Sequence, residues 1–512
     1  DKWNIPRQAD VRIENGLSSR SDVEVAAGAM FDLGDLGTSI QTLKSAGGSG
    51  ALVSRGELSF AGVSPYAGSL ALAANGLVDL GGGALSVSNW TGSATVTNSL
   101  ETTAKLTFTA DTDTAADLTV VGNVAFEKGG AGALTLPGGQ DYTGTTTLDG
   151  GSLAHTGFSR YGHVSFHVDA SHAETLTLDA DGNVLRWDSL TDDGLYLNNA
   201  HDAFPGAKFR TAYTHLVKDA NGQPCVRFAR DEDNVHTGAV MAASSTISGR
   251  TEFFVSRQHN SVCWGGMIGN VFNYDNRIYR NNAAPQYLWA VTTTSTGARV
   301  LVNGKETKSF ENPSGTAGPH VLTVVRNDRA VTHEIIGGDW LQKDNADGEV
   351  NEYNNIYSRM DLYEVLLFDT ALTDDQIREV TAILAEKWKV QVATDIDLGT
   401  PSCPFAADSD YVVTASTGLD LDGFWQTIKS LTFDVGGAEA CPVLAVEGAL
   451  DVTDTPLAFL NATNVGKGNF LTTTWGLTSP FLSVTGLEGV GKVSYRRKSA
   501  RISTGGSVIL FR

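Results

Sequence analysis

The feature that most constrains the fold is a repeated pattern of short alternating strands separated by glycine turns. Residues 31–34 read Phe-Asp-Leu-Gly and are followed by a second short strand at 40–45, while residues 419–423 and 426–431 repeat the same unit. Residues 78–82 are a weaker copy. Because a unit of this size cannot bury its apolar face alone, neighbouring copies must stack. Copies on both sides of the centre predict that a middle domain interrupts one β-rich architecture.

Composition narrows the class of protein further. The chain has 512 residues with 56 glycines, is 41% hydrophobic and has a net charge of −21. This charge excludes a nucleic-acid binder that depends on phosphate neutralisation. No run of about 18 apolar residues occurs, so no membrane-spanning helix is expected. The chain starts at Asp1 without Met or an apolar leader, so we interpret it as a mature secreted protein, extracellular or at the cell surface.

A longer motif lies before the middle of the chain. Residues 126–136 (FEKGGAGALTL), 142–148 (YTGTTTL) and 151–153 (GSL) together resemble an autotransporter-associated β-strand repeat. The resemblance extends over residues 20–155 and 410–440. It implies the β-helical stalks or stacked β-layers that such secreted bacterial proteins display at the cell surface.

The middle of the chain has more aromatic and charged residues and longer loops. The segments 166–171, 178–188, 221–228, 300–304 and 360–369, followed by a helix, resemble a concanavalin A-like (laminin-G-like) jelly-roll domain. The resemblance implies two packed antiparallel sheets and recognition of carbohydrate or glycoprotein, often beside calcium. The same fold also occurs in hydrolases and inert spacers.

The helix after this region is the clearest single element. Thr373 and Gln376 form a capping box, and an apolar stripe at helical spacing follows. The stripe consists of Ile377, Val380, Leu384 and Trp388. We assign Trp187 and Trp388 to the core.

These patterns predict an all-β fold. We expect β-repeat regions (a β-helix or stacked β-layers) flanking a jelly-roll β-sandwich with one C-terminal helix. The expected domains are an N-terminal β-repeat region at 1–158, the jelly roll at 159–392 and a C-terminal β-rich domain at 393–512.

No pattern of catalytic residues is present in the sequence. Asp361 and Glu364 are three residues apart, which predicts opposite faces of a strand, and Glu349 and Glu352 lie in a polar stretch. We expect these acids to be solvated at the surface. The histidines are scattered, among them His163, His167, His172 and His201, and we expect surface or packed positions for them. The sequence therefore predicts a non-enzyme.

Binding residues are suggested by aromatic and amide side chains near the centre. Sugar recognition needs flat aromatic faces beside planar hydrogen-bonding groups, although core or turn positions are the more common explanation of such aromatics. The candidate glycan ligands are Tyr274, Asn276, Arg277, Tyr279, Asn281, Trp289 and Trp340. Calcium is the one candidate cofactor, through the oxygen-rich loop with Asp344, Asp347 and Glu349, although this loop does not fit an EF-hand.

The four cysteines are spaced as two equal pairs. The spacing favours two local disulfides, Cys225–Cys263 and Cys403–Cys441, and four buried free thiols are the alternative.

Apolar strands lie close to both termini, at residues 10–14 and 507–512. Each strand either completes a sheet within the chain or pairs with another copy, which would give a homopolymer. We therefore expect a non-enzymatic adhesin or self-assembling, fibre-like extracellular subunit. A lectin-like carbohydrate-binding protein is the alternative, and a glycoside hydrolase is a third, weaker hypothesis.

Overall fold

The computed structural model divides the chain into two compact units. Unit 1 comprises residues 1–157 and 402–512, and unit 2 comprises residues 158–401, so the two terminal regions belong to one unit. The structure describes residues 2–5, 10–12, 21–26, 29–33, 38–46, 51–54, 58–60, 64–65, 69–72, 76–191, 193–199, 214–228, 239–259, 265–270, 278–281, 288–291, 298–306, 318–326, 328–338, 358–399, 403–474, 476–478, 480–496 and 498–503.

The first part of unit 1 consists of short strands. They are β1 (Lys2–Ile5), β2 (Asp10–Arg12), β3 (Asp22–Ala26), β4 (Met30–Asp32), β5 (Thr38–Ile40), β6 (Thr42–Ala46), β7 (Ala51–Ser54), β8 (Leu58–Phe60), β9 (Ser64–Pro65), β10 (Ser69–Leu72), β11 (Gly76–Asp79), β12 (Ala84–Val87), β13 (Asn89–Thr91), β14 (Ala94–Thr97), β15 (Ala104–Thr109), β16 (Thr114–Ala115), β17 (Leu118–Gly122), β18 (Val124–Gly129), β19 (Ala133–Leu136), β20 (Asp141–Tyr142), β21 (Thr146–Asp149) and β22 (Ser152–His155).

Unit 2 follows with longer strands and helices. Its elements are β23 (Val164–Asp169), β24 (Leu176–Leu178), β25 (Val184–Asp188), β26 (Tyr196–Asn199), β27 (Thr214–Lys218), β28 (Pro224–Phe228), β29 (Met241–Gly249), β30 (Thr251–Gln258), β31 (Gly265–Gly269), β32 (Ile278–Asn281), β33 (Leu288–Val291), β34 (Arg299–Val302), β35 (Lys305–Glu306), β36 (His320–Val325), β37 (Val331–Ile336), β38 (Met360–Phe368) and the α-helix α1 (Asp374–Lys387), with 3₁₀ turns at Gly157–Tyr161 and Ala173–Thr175.

Unit 1 resumes after the insertion. Its remaining strands are β39 (Asp410–Val413), β40 (Thr417–Thr427), β41 (Ser430–Asp434), β42 (Leu444–Asp451), β43 (Pro456–Leu460), β44 (Gly468–Thr473), β45 (Gly476–Thr478), β46 (Ser483–Thr485), β47 (Lys492–Arg496) and β48 (Ser499–Ser503).

Unit 1 is a solenoid of parallel strands. Between β4 and β15, every strand except β6 and β13 pairs in parallel with the third strand after it, as in β7–β10, β8–β11 and β9–β12. One coil therefore contributes three strands, one to each of three stacks. Side chains on successive coils meet 20 residues apart, as Thr42 and Asp22 do, and the spacing grows to 27 residues after the insertion, as between Asn461 and Asp434. The expected all-β fold built from stacked repeats is confirmed.

The interior of the solenoid is made of side chains in register. One inward stack passes through Leu106, Phe126 and Thr146 before the insertion and through Tyr411 and Leu431 after it. All five side chains are buried. The alternation of buried and exposed residues along β15, which the sequence shows as Lys-Leu-Thr-Phe, is what orients this stack.

The hydrogen-bonded ladder of the solenoid continues across the 244 residues of unit 2. Strand β21 pairs in parallel with β39, with Thr146 opposite Tyr411, and β22 pairs with β40, with Ser152 opposite Gly418. The two coils on either side of the insertion are therefore direct neighbours.

A buried chain of hydroxyl groups joins these two coils. Ser409 Oγ donates its single hydrogen to the carbonyl of Gly144 (2.7 Å), so it accepts the hydrogen of Thr146 Oγ1 (2.6 Å). Thr146 Oγ1 therefore accepts a hydrogen bond from the Tyr142 hydroxyl (2.8 Å). Burial raises the pKa of Tyr142, so its hydroxyl stays protonated and remains a donor.

Glycine has a steric role where coils stack closely. Gly92 has φ +88°, and a Cβ atom there would lie 1.9 Å from the carbonyl oxygen of Leu72 on the coil below. Gly486 has φ +82° and the same relation to Phe459. Only glycine fits such turns, which explains part of the high glycine content.

The two faces of the solenoid end differently after the insertion. In the stack that contains β40, β42 and β44, the hairpin of β47 and β48 pairs antiparallel with β44 and ends the run of parallel strands. In the other stack β46 is the last strand, and its only partner among the described residues is β43.

Unit 2 is a sandwich of two antiparallel sheets. One sheet has the order β27-β28-β38-β30-β36-β34-β35, with β23 also paired to β38, and the other has the order β24-β25-β26-β29-β37-β31-β32-β33. Residues of both sheets form one apolar core that includes Trp187, Phe254 and Leu367. Strand β38 is central, because β30 pairs along one edge while β23 and β28 share the other.

The helix forms as the sequence predicts. The Thr373 side chain accepts the backbone N–H of Gln376, and the Gln376 side chain accepts the N–H of Thr373. The stripe from Ile377 to Trp388 is buried, and Trp187 is a core residue as expected. Among the described residues, no helix has both the length and the apolar character needed to cross a bilayer.

The predicted disulfides are not formed by the described cysteines. Cys225, Cys403 and Cys441 are free thiols, while Cys263 lies outside the described residues. Burial, followed by the nearby charge of Asp361, raises the pKa of Cys225 to about 12. The Sγ atom of Cys403 instead lies 3.3 Å from Thr427 Oγ1. The spacing of 38 residues therefore does not bring Cys403 and Cys441 together as a disulfide, which requires close Cα atoms and aligned Cβ directions.

We expect Thr146→Val to destabilise unit 1 by about 1–3 kcal/mol, because it removes the acceptor of the buried Tyr142 hydroxyl and the donor to Ser409 Oγ. Equilibrium unfolding in urea, followed by circular dichroism, measures the loss. Thr147→Val on the same strand is the control, since Thr147 is only half-buried and lies outside the hydroxyl chain. Equal stabilities of the two variants would contradict the coupling of the coils through Thr146.

Candidate functional site

A β-bulge on the central strand of the sandwich places two acidic residues on one face. Val255 lies opposite Glu364 and Ser256 opposite Leu362, so Tyr363 is an extra residue on β38. Leu362 and Val365 both face the core. Asp361 and Glu364 therefore lie together on the opposite face. The expectation that they lie on opposite faces was wrong, because the bulge inserts one residue between them and reverses the alternation.

The expectation that these acids are solvated was wrong as well. Asp361 and Glu364 are 0% and 1% exposed. The strand contains them within an apolar run, Met-Asp-Leu-Tyr-Glu-Val-Leu-Leu-Phe, and its nine residues are all buried. A charged group in such a strand needs a partner of opposite charge, since isolated burial costs several kcal/mol.

The partner of Glu364 is a buried lysine at the end of α1. Lys387 Nζ lies 2.7 Å from Glu364 Oε2 and is also paired with Asp169 Oδ2. The side chain of Lys387 is 5% exposed and that of Asp169 is 1% exposed. Asp169 on β23 is the direct cross-strand neighbour of Glu364, so the single positive charge of the lysine offsets the repulsion between the two carboxylates. We call Asp169, Glu364 and Lys387 the buried triad.

Two further side chains fix Glu364. His167 Nε2 lies 2.7 Å from Oε1, and the indole N–H of Trp388 donates to Oε2 at 2.6 Å. Burial raises the pKa of Glu364, but the charges and hydrogen bonds of Lys387 and His167 outweigh burial and hold the pKa well below its usual range. The carboxylate is therefore ionised and held at both oxygens.

Asp169 is held from a different direction. Its Oδ1 accepts two hydrogen bonds of 2.7 Å, from the backbone N–H and the hydroxyl of Ser171. Its Oδ2 faces Lys387, with His172 Nε2 3.7 Å away. Burial lowers the pKa of Lys387, but Asp169 and Glu364 more than compensate and raise it.

The donor set of this site resembles a metal site, but an ammonium group fills it. His167, Asp169 and Glu364 have ligand atoms within 4.8 Å of one another. The Lys387 ammonium group lies against both carboxylates, in the place that a cation would need. The residues therefore fit an internal ion-pair network and not a metal ion.

Asp361 belongs to a second network on the same strand. Arg227 donates to it through Nε (2.7 Å) and Nη2 (3.0 Å), and His259 Nε2 is 2.7 Å from Oδ2. Burial raises the pKa of Asp361, but the hydrogen bonds from His259 and Arg227 give a net lowering.

Glu252 on β30 forms a third network. Arg326 Nε and Nη2 lie 3.1 and 3.2 Å from its oxygens, and His333 Nε2 lies 2.8 Å from Oε1. All three side chains are 0% exposed. Burial raises the pKa of Glu252, yet the charges of Arg326 and His333 prevail and lower the pKa to about 2.

The structure brings together few of the residues predicted from sequence to bind a ligand. Tyr279 and Asn281 lie on β32 and Trp289 on the adjacent strand β33, where Trp289 pairs with Arg280. The other candidate glycan and calcium residues lie outside the described residues: Tyr274, Asn276, Arg277, Trp340, Asp344, Asp347 and Glu349. The glycan and calcium sites therefore stay predictions.

Sequence reasoning missed the buried networks. His167 and His172 are buried, which is one of the two positions expected for the histidines. His163 is exposed and paired with Asp369. His201 lies outside the described residues. The available signal was an acidic residue within an otherwise apolar strand, as Glu252 in Thr-Glu-Phe-Phe-Val-Ser. Such a pattern indicates a buried, paired carboxylate.

Comparison with known proteins gives no relative. No family model, no curated protein and no solved structure matches this chain. Its function is therefore inferred from its own geometry.

We expect Glu252→Gln to reduce the free energy of unfolding by about 3 kcal/mol at pH 7, and by less at pH 3. The folded-state pKa, about 2, is below the unfolded value of 4.5, so this stabilisation is present above pH 4.5 and is lost as the pH falls towards 2. Urea unfolding of both proteins at the two pH values measures the difference.

The control for this prediction is Asp181→Asn, which alters an exposed carboxylate of the same unit. This variant should match the wild type at both pH values. If Glu252→Gln lowers the free energy of unfolding by the same amount at pH 7 and at pH 3, Glu252 is not the ionised member of the network.

Proposed function

We propose that the chain is a non-enzymatic extracellular structural subunit, a β-solenoid that bears an inserted sandwich and assembles with copies of itself. The observation that supports this most is the continuous ladder across the insertion, with Thr146 opposite Tyr411. The solenoid is one structural element, and unit 2 is an insertion between two of its coils. Such a design suits a protein that displays a domain from a rigid support.

Self-association is supported by the strands at the ends of the solenoid. Among the described residues, β1 and β2 at one end and β46 at the other each pair with a single neighbouring strand. Strands with a free edge offer unpaired backbone groups to another chain. Contact between two different ends does not close on itself, so it produces a filament.

The end formed by β46 is also apolar. Leu482, directly before β46, is 65% exposed, and Val484 on β46 is 38% exposed. Leu482 and Val484 are two residues apart at this end of the described solenoid. We propose that a second copy of the chain covers them.

The proposal that the chain is not an enzyme is supported by the pairing of its buried acids. Glycoside hydrolysis requires two carboxylates facing a substrate cleft. Asp361 is instead paired with Arg227, and Glu364 with Lys387. Both carboxylates are used within the fold.

We expect the purified protein to form concentration-dependent oligomers and, at high concentration, filaments visible by electron microscopy. The double variant Leu482→Asp/Val484→Asp should remain monomeric, because it places charges on the proposed contact. Sedimentation velocity over a hundredfold concentration range measures the difference.

The matched control is Leu100→Asp, which changes an exposed leucine of unit 1 outside any strand. It should assemble like the wild type. A wild-type protein that is monomeric at every concentration would refute self-assembly, and assembly of the double variant would refute contact through β46.

A further inference from the structure

The buried triad has the composition and geometry of a self-condensing amide site. A primary amine, Lys387 Nζ, is paired with a carboxyl oxygen of Asp169 and lies 2.7 Å from the carboxylate of Glu364. The three side chains are 5% exposed or less, so water is largely excluded. We propose that Lys387 and Asp169 form a covalent amide cross-link within unit 2, with Glu364 as the proton carrier.

Asp169 is the acyl partner because its two oxygens are in different environments. Oδ1 accepts hydrogen bonds from the backbone N–H and the hydroxyl of Ser171, and these donors stabilise negative charge that develops on that oxygen. Oδ2 faces the amine and is the oxygen that leaves. His172 Nε2 is a further polar neighbour of Oδ2, at 3.7 Å.

Glu364 has the position that proton transfer requires. Its Oε1 is held by His167 and its Oε2 by Trp388, so the carboxylate cannot rotate away from Lys387. The geometry fixes it beside the nitrogen, within hydrogen-bond reach of the proton to be removed. Because Glu364 touches the reacting amine, it is a catalytic residue of this condensation.

The reaction balances without any further reactant. One proton passes from the Lys387 ammonium to Asp169 Oδ2, which gives a neutral amine and a carboxylic acid. The nitrogen lone pair attacks Cγ of Asp169 and a C–N bond forms. Glu364 takes a second proton from the nitrogen and delivers it to Oδ2. The Cγ–Oδ2 bond breaks, one water molecule leaves, and Glu364 is again a carboxylate.

Burial favours the product. The Lys387–Asp169 ion pair keeps two charges away from water at a cost of several kcal/mol, whereas the amide is neutral and keeps its carbonyl oxygen at the Ser171 donors. Glu364 retains His167 and Trp388 as its hydrogen-bond partners. Holding the two groups in contact also replaces a bimolecular reaction with an intramolecular one, which raises the effective concentration by orders of magnitude.

The test is the intact mass of the purified full chain. The wild-type protein should weigh one water molecule less than its sequence, and a tryptic digest should contain a branched peptide that joins the segment with Asp169 to the segment with Lys387. Lys387→Arg and Glu364→Gln should show the full sequence mass, with folding checked by circular dichroism. Lys389→Arg is the matched control, since Lys389 is exposed and paired with Glu386, and it should retain the loss of water.

The wild-type measurement alone decides the existence of the bond, so a variant that fails to fold does not block the test. A full sequence mass together with tryptic cleavage after Lys387 would overturn the proposal. A branched peptide through Glu364 would overturn the assignment of Asp169, and a cross-link that forms in Glu364→Gln would overturn the role of Glu364. These outcomes are independent of the state of assembly.

Discussion

The parallel hydrogen-bonded ladder of unit 1 is the constraint on which the rest of the structure depends. Each coil leaves one edge of its strands unpaired, so a coil is stable only when the next coil covers it. The chain departs from this ladder for the 244 residues of unit 2 and then resumes it at β39. The inserted unit must therefore fold on its own core, and the returning chain must meet the same register that it left.

Local sequence patterns were sufficient to predict the structure where residues interact with their neighbours in the sequence. Thr373 and Gln376 satisfy each other's backbone groups within one turn, so the capping box could be predicted from four residues. Alternation in β15 predicts a buried Leu106 and Phe108 because a strand has a period of two. The repeated units on both sides of the centre likewise indicate an interrupted stack without any knowledge of the strand pairing.

The buried networks could not be predicted, because they depend on one extra residue and on distant elements. The bulge at Tyr363 shifts the side on which Glu364 lies, and nothing local to β38 marks it. The partner of Glu364 is Lys387, which lies 23 residues later at the end of a helix. A lysine at this position is also expected because positive charge is favourable at the C-terminal end of a helix dipole, so its presence does not indicate a buried ion pair. The predicted Cys403–Cys441 disulfide is absent for the same reason, because spacing along the chain does not determine proximity in space.

The position of the buried triad also determines how unit 2 responds to force. Asp169 is at the end of the first strand of the unit, and Lys387 ends its last helix, 218 residues later. A pull on the two ends of unit 2 therefore reaches this pair before it reaches the strands between them. The proposed amide cross-link would carry the load from β23 directly to α1 and would bypass strands β24 to β38 between them.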